Sequence, residues 1–160
     1  MADLSRYRFI IASEADHYLA AATLFREYAA FLDVDLCFQN FDQELIELDK
    51  QYGEPSGGLI LVQCEDKFIG CAAVRKFSSE IGELKRMFIQ PAHRGDGLGQ
   101  ELLQRAVDLA RSRGYIRLRL DTMQRLQAAT HLYRKYGFEP IEAYRFNPSD
   151  DAIYLERWLR

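Results

Sequence analysis

A glycine-punctuated segment, QPAHRGDGLGQ from Gln90 to Gln100, stands between a strand-like run, Leu84 to Ile89, and a long helical run, Gln100 to Arg113. A turn leading from a strand into a helix leaves backbone N–H groups unpaired at the positive end of the helix dipole, where they suit a phosphate or diphosphate. Gly97 and Gly99 have no side chain to hold a ligand off the backbone, and Arg94 adds a cation whose fork matches phosphate oxygens. Spacing excludes two common phosphate motifs. A dinucleotide fingerprint starting at Gly95 needs a third glycine where Gln100 stands, and a P-loop needs Gly-Lys-Ser/Thr, whereas no lysine lies between Arg94 and Arg113. Taken alone, the turn also suits a helix start whose glycines merely permit tight packing, so the flanking residues must decide.

The arrangement Arg94-x-x-Gly97-x-Gly99 resembles the acyl-CoA diphosphate turn of the GNAT superfamily of N-acetyltransferases. Upstream, Glu83 to Pro91 looks like that superfamily's central strand and its approach to the turn. Downstream, Ala129, Tyr133, Gly137 and Phe138 match its late-helix signature, A-x-x-x-Y-x-x-x-G-F. The blocks span Gly70 to Phe138, and Phe38-Gln-x-Phe41 with Tyr144-x-x-Asn147-Pro148 resemble a bacterial subgroup of small single-domain members. The resemblance implies a GNAT-like α/β fold: a mixed, splayed central sheet of about six to seven strands, with about four helices covering both faces. It implies acetyl-CoA as acetyl donor, no metal, and direct attack in a ternary complex by a primary amine of a small-molecule or amino-acid-like acceptor. A peptide or protein amine is the alternative acceptor. A non-catalytic acyl-CoA-binding or regulatory module is the alternative class.

Such a transfer poses three physical problems: the amine must lose a proton, the tetrahedral oxyanion needs donors, and the departing thiolate benefits from a proton. Glu83 stands where the superfamily often has a carboxylate and is the candidate general base, acting through water; the alternative is an ion-pair partner for Lys85, Arg86 or Arg75. Burial would raise its pKa and an arginine partner would lower it. Tyr133 fits the tyrosine that protonates the sulfur, although helical spacing equally allows a core position. The resemblance assigns the oxyanion to a backbone N–H near Met87, and the pantetheine amides to the main chain of Met87, Phe88 and Ile89. It assigns the diphosphate to Arg94, Gly95, Asp96, Gly97, Leu98, Gly99 and Gln100. Two residues depart from the pattern. Leu126 stands where many relatives have an asparagine touching the carrier. Asp96 stands where many have a cation, so it must point to solvent or weaken diphosphate binding. On the acceptor side, Phe31, Phe38, Phe41 and Tyr144 are candidates for an aromatic enclosure, and Arg75, Arg145 and Gln39 for orienting a carboxylate or amide.

Positioning these groups requires a sheet. Strands are expected at Arg8 to Ala12, Leu59 to Glu65, Phe68 to Phe77, Gly82 to Ile89, Tyr115 to Asp121, Phe138 to Ala143 and in the tail from Ile153. Helices are expected after a Ser13 cap through Leu32, from Phe41 to Tyr52, after the glycine turn, and from Gln124 to Tyr136, with Gly114 and Gly137 as C′ residues. Strict alternation in the central strand puts Ile81, Glu83, Lys85, Met87 and Ile89 on one face and Leu84, Arg86 and Phe88 on the other. Charges on both faces of an interior strand require a cleft or partners.

The 160 residues, 48% apolar, fit one domain spanning 1–160, and the net charge of −3 argues against nonspecific nucleic-acid binding. Cys37, Cys64 and Cys71 have no paired spacing, and His17, His93 and His131 are too scattered for a metal site. No leader pattern or membrane-length apolar run is present, so a soluble, cytoplasmic protein without membrane partners is expected. The terminal strand and first helices are compatible with a homodimer.

Overall fold

In the computed structural model, which describes residues 3–33 and 40–160, the chain runs β1 (Tyr7–Ile11), α1 (Ala15–Leu32), α2 (Phe41–Ile46), α3 (Leu48–Gln51), β2 (Gly58–Cys64), β3 (Lys67–Lys76) and β4 (Ile81–Ile89). It continues through a 3-10 turn (Pro91–His93), α4 (Leu98–Ser112), β5 (Arg117–Met123), α5 (Gln127–Lys135), β6 (Glu139–Ile141) and β7 (Ala152–Trp158). Cys37, Phe38 and Gln39 lie outside the described residues. The strands form one sheet in the order β1-β2-β3-β4-β5-β7-β6.

Alternation along the inner strands feeds two cores. Ile60, Val62, Val74 and Leu84 join α4, whose Leu98, Leu102, Leu103, Ala106, Leu109 and Ala110 are all buried, as their helical spacing predicts. Leu59, Leu61, Cys71 and Ala73 join Ala21, Leu24 and Phe25 of α1. Gly97 (φ 81°) caps α4, which begins at Leu98 rather than Gln100; left-handed backbone of this kind favours glycine.

Other boundaries also differ from expectation. The helix foreseen over Phe41 to Tyr52 is broken at Glu47, whose φ of −116° and ψ of 29° leave the helical region. Glu14, not Ser13, is the N-cap of α1; the Ser13 and Glu14 N–H groups both donate to His17 Nδ1, at 3.0 and 3.3 Å. The tail strand pairs with β6 as expected and also along the whole of β5.

Two irregularities of β4 shape the middle of the sheet. β4 and β5 are parallel, connected through α4, yet they pair only at Ile81–Arg117, Gly82–Leu118 and Glu83–Arg119. Beyond these pairs the strands splay. On its other edge β4 carries a bulge: Cys71 sits opposite Phe88 and Ala73 opposite Lys85, so β4 holds one residue more than β3 across this step. Within it Arg86 adopts φ 56°. The bulge corrects the strict alternation. Arg86 reaches Glu44 on α2 and Phe88 packs with α1, so the two do not share a face with Leu84, which belongs to the α4 core.

Candidate active site

The bulge is held by a buried ion pair. Arg86 Nε and Nη2 donate to Glu44 Oε2 and Oε1 at 2.9 and 2.7 Å, and the Tyr52 hydroxyl donates to Glu44 Oε2 at 2.9 Å. Cys71 Sγ donates to the Arg86 carbonyl at 3.2 Å. A non-glycine residue in left-handed conformation costs about 1–2 kcal/mol. The two-pronged ion pair opposes that strain and fixes the strand where it leaves β5.

Between the splayed strands lies a cleft of about 480 Å³. Its lining includes Met87, Phe88 and Ile89 of β4, Thr122 of β5, and Tyr28 and Phe31 of α1. Arg94, Gly95 and Gly99 of the glycine turn and Tyr133 of α5 also line it. Tyr133 is only 7% exposed, its ring edge-on to Phe138 at 5.8 Å. Burial pushes its pKa upward, so the phenol keeps its proton. Among the described residues no group hydrogen-bonds its hydroxyl.

The candidate diphosphate residues divide. Asp96, Gly97, Leu98 and Gln100 do not line the cleft. The Leu98 side chain is core, which leaves only its main chain for a ligand. Asp96 neither faces solvent alone nor joins the cleft: its Oδ2 accepts from Arg6 Nη2 at 3.2 Å and the Tyr7 hydroxyl at 3.4 Å, which offsets its charge. Arg94 lies over the Phe31 ring at 4.4 Å and its Nε donates to the Ile89 carbonyl at 2.8 Å. Leu126, the hydrophobic departure, lines the cleft.

Glu83 is fully buried and tightly bonded. Its Oε1 accepts from Arg75 Nε at 3.0 Å and Arg145 Nη2 at 2.7 Å, and its Oε2 from the Tyr144 hydroxyl at 2.9 Å. Burial works to raise its pKa, but Lys85, Arg75 and Arg145, with the Tyr144 hydrogen bond, outweigh burial and hold the carboxyl below its ordinary value. A carboxylate offers about four acceptor sites. Three are taken here, two on Oε1 by the arginines and one on Oε2 by the tyrosine. Glu83 lines a second, polar pocket of about 330 Å³ rather than the cleft. Lys85, two residues on, is 4% exposed; burial first, and Arg86 second, bring its pKa down to about 7.

The foreseen aromatic enclosure is dispersed among the described residues. Phe31 packs with Phe88 in the cleft, Phe41 lies under the Arg86 guanidinium, and Tyr144 meets Phe77. Tyr28, Thr122 and Arg125 line the cleft without having been singled out in the sequence. Thr122 was the most accessible of the three to reasoning, since ligands favour the carboxyl ends of parallel strands that diverge. Among the described residues no three His, Cys, Asp or Glu side chains are grouped to hold a metal ion, and no helix is long and apolar enough to cross a membrane.

The model of the acetyltransferase (GNAT) family matches residues 19–138. An uncharacterised N-acetyltransferase of Schizosaccharomyces pombe is 34% identical, with 82% of each chain covered. Among solved structures, an acetyltransferase from Streptococcus agalactiae superimposes with a TM-score of 0.79 at 20% identity, covering 97% of this chain and 99% of that one. The protein yncA of Salmonella typhimurium, solved with its cofactor acetyl-CoA, gives 0.68 at 19% identity, covering 97% of this chain and 95% of that one.

Proposed function

Because the chain belongs to the GNAT acetyltransferase family, we propose that its cleft binds acetyl-CoA and that the acetyl group passes directly to a primary amine of a small, amino-acid-like acceptor. One observation carries this reading: the glycine turn and Tyr133 line a single cleft, opened by the early end of β4–β5 pairing. Its volume of about 480 Å³ falls within the usual size of ligand pockets. The Salmonella relative's acetyl-CoA supports the choice of donor. The second pocket, small and polar, favours a small acceptor over a protein surface.

Acetyl-CoA supplies an acyl carbon already activated as a thioester. The protonated acceptor first loses one proton through water towards Glu83; the neutral nitrogen then attacks that carbon, the C–S bond breaks, and the nitrogen sheds its second proton. The free edge of β4 near Met87 offers main-chain donors for the oxyanion. Tyr133 donates a hydrogen bond to the departing sulfur. A phenol, with an ordinary pKa of about 10, is a weaker acid than a thiol at about 8.5, so Tyr133 passes its proton to the sulfur only as it takes up the one that the attacking nitrogen sheds. Calorimetry with acetyl-CoA and thiol release across a panel of amines test the function. Binding together with turnover is expected; absence of acetyl-CoA binding overturns it.

Gly99→Ala separates fold from function. The added methyl group would lie 3.4 Å from Leu132 Cδ2, an ordinary contact, so thermal stability holds or rises slightly. The same methyl projects where the carrier must approach the turn, and acetyl-CoA affinity falls by roughly tenfold, measurable by titration calorimetry.

The pH dependence of turnover tests Glu83. Its carboxyl titrates below the ordinary value of 4.5, so it stays ionised through the neutral range and contributes no acid limb above that pH. Glu83→Gln lowers kcat by about two orders of magnitude while the profile from pH 5 to 9 keeps its shape. A wild-type limb near pH 6–7 that vanishes in Glu83→Gln would contradict this assignment.

A further inference from the structure

The polar pocket beside Glu83 has a charge pattern that the transfer step does not use. Lys50 of α3, Arg75 and Lys76 of β3, and Arg145 of the β6–β7 loop bring four cations to it, against the one carboxylate of Glu83. That carboxylate is already engaged by both arginines through a single oxygen, Oε1. Arg75 Nη1 spends one donor on Gln51 Oε1 at 3.1 Å. Each guanidinium has five N–H donors, and Arg145 Nε has no hydrogen-bond partner among the described residues. A pocket with surplus cations and spare donors calls for an acceptor-rich anion.

Position ties this pocket to the cleft. Glu83 is both a wall of the pocket and the last β4 residue paired with β5. Met87, on the cleft wall, lies four residues further along the strand, roughly 10 Å once the bulge at Arg86 takes up one residue of the rise. We propose that the pocket seats a carboxylate or phosphate group of the acceptor, so that the substrate is an anionic, extended molecule whose amine stands well away from its negative charge. This rests on the acetyl-transfer function proposed above and adds the acceptor's chemical class. An ω-amino acid or a short peptide has that shape, whereas an α-amino acid carries both groups on one carbon.

The test compares ε-aminocaproate with its neutral amide and with hexylamine, using thiol release from acetyl-CoA by the full chain. The carboxylate is expected to exceed the amide in kcat/KM by about tenfold or more. Arg75→Gln and Arg145→Gln bring that ratio towards one; as a ratio, it is insensitive to any general loss of activity these variants suffer. Should they not fold, Lys76→Glu, at an exposed position, lowers the same ratio. Glutarate and inorganic phosphate raise the melting temperature at low salt and less so at high salt. Equal use of carboxylate and amide, with transfer intact, overturns the anion seat and leaves the enzyme function standing. If acetyl-CoA binds, no amine is acetylated and glutarate still stabilises the wild type but not Lys76→Glu, the transfer function falls and the anion seat survives.

Discussion

Replacing Tyr133 by phenylalanine lowers kcat by about two to four orders of magnitude while acetyl-CoA binds with unchanged affinity. The reasons are local. The ring packs edge-on against Phe138 and is almost wholly enclosed, and phenylalanine preserves that packing. The hydroxyl bonds no group among the described residues, so its removal leaves no protein donor or acceptor stranded. What disappears is a proton donor on the cleft wall, needed only as the carbon–sulfur bond breaks. Calorimetry and pre-steady-state thiol release measure the two quantities separately. Weakened binding with unchanged kcat would show Tyr133 to be a wall residue and nothing more.

The second large effect concerns stability. Glu44→Ala destabilises the fold by about 3–5 kcal/mol, because it leaves the Arg86 guanidinium buried without its counter-charge. That is a large share of the roughly 5–15 kcal/mol available to a typical domain. Urea denaturation measures it as a lower midpoint with an unchanged slope. The double variant Glu44→Leu with Arg86→Met recovers much of the loss, since replacing both partners removes the stranded charge. Its catalysis stays low, because nothing then holds the bulge. The acid dependence has the same origin. Burial would raise the Glu44 pKa, but Arg86 and Tyr52 outweigh it and hold the carboxyl below 4.5. A depressed folded-state pKa contributes stability above the unfolded value, and that contribution is lost as pH falls through the folded one. Glu83 behaves likewise. Wild type therefore weakens steeply below about pH 4.5, and Glu44→Ala shows a shallower acid slope.

Periodicity made α1, α4 and most strands legible in the sequence, because each buries one continuous stripe or alternating face. Arg75, Arg145 and Tyr144, named from the sequence as acceptor-side candidates beside the family resemblance, all converge on Glu83. The bulge was not legible. One extra residue leaves no mark in composition, and alternation counted through Arg86 goes out of phase from that point. The break at Glu47 was equally silent, since glutamate forms helices well and neither glycine nor proline stands nearby. Nothing in the sequence singles out Glu44 among the acids of the helix foreseen over Phe41 to Tyr52. Only the tertiary approach of α2 to β4 reveals it as a buried partner, 42 residues away in the chain. Asp96 shows the same limit, because its partners Arg6 and Tyr7 lie 90 and 89 residues away, near the amino terminus.

The brief β4–β5 junction has a mechanical meaning. Three residue pairs, from Ile81 to Glu83 and Arg117 to Arg119, form the seam that joins the first four strands to the last three. On the function proposed above, a guest whose amides zip along the unclaimed rim of β4 would extend that seam as a temporary eighth strand, and its departure would return the sheet to its half-fastened state.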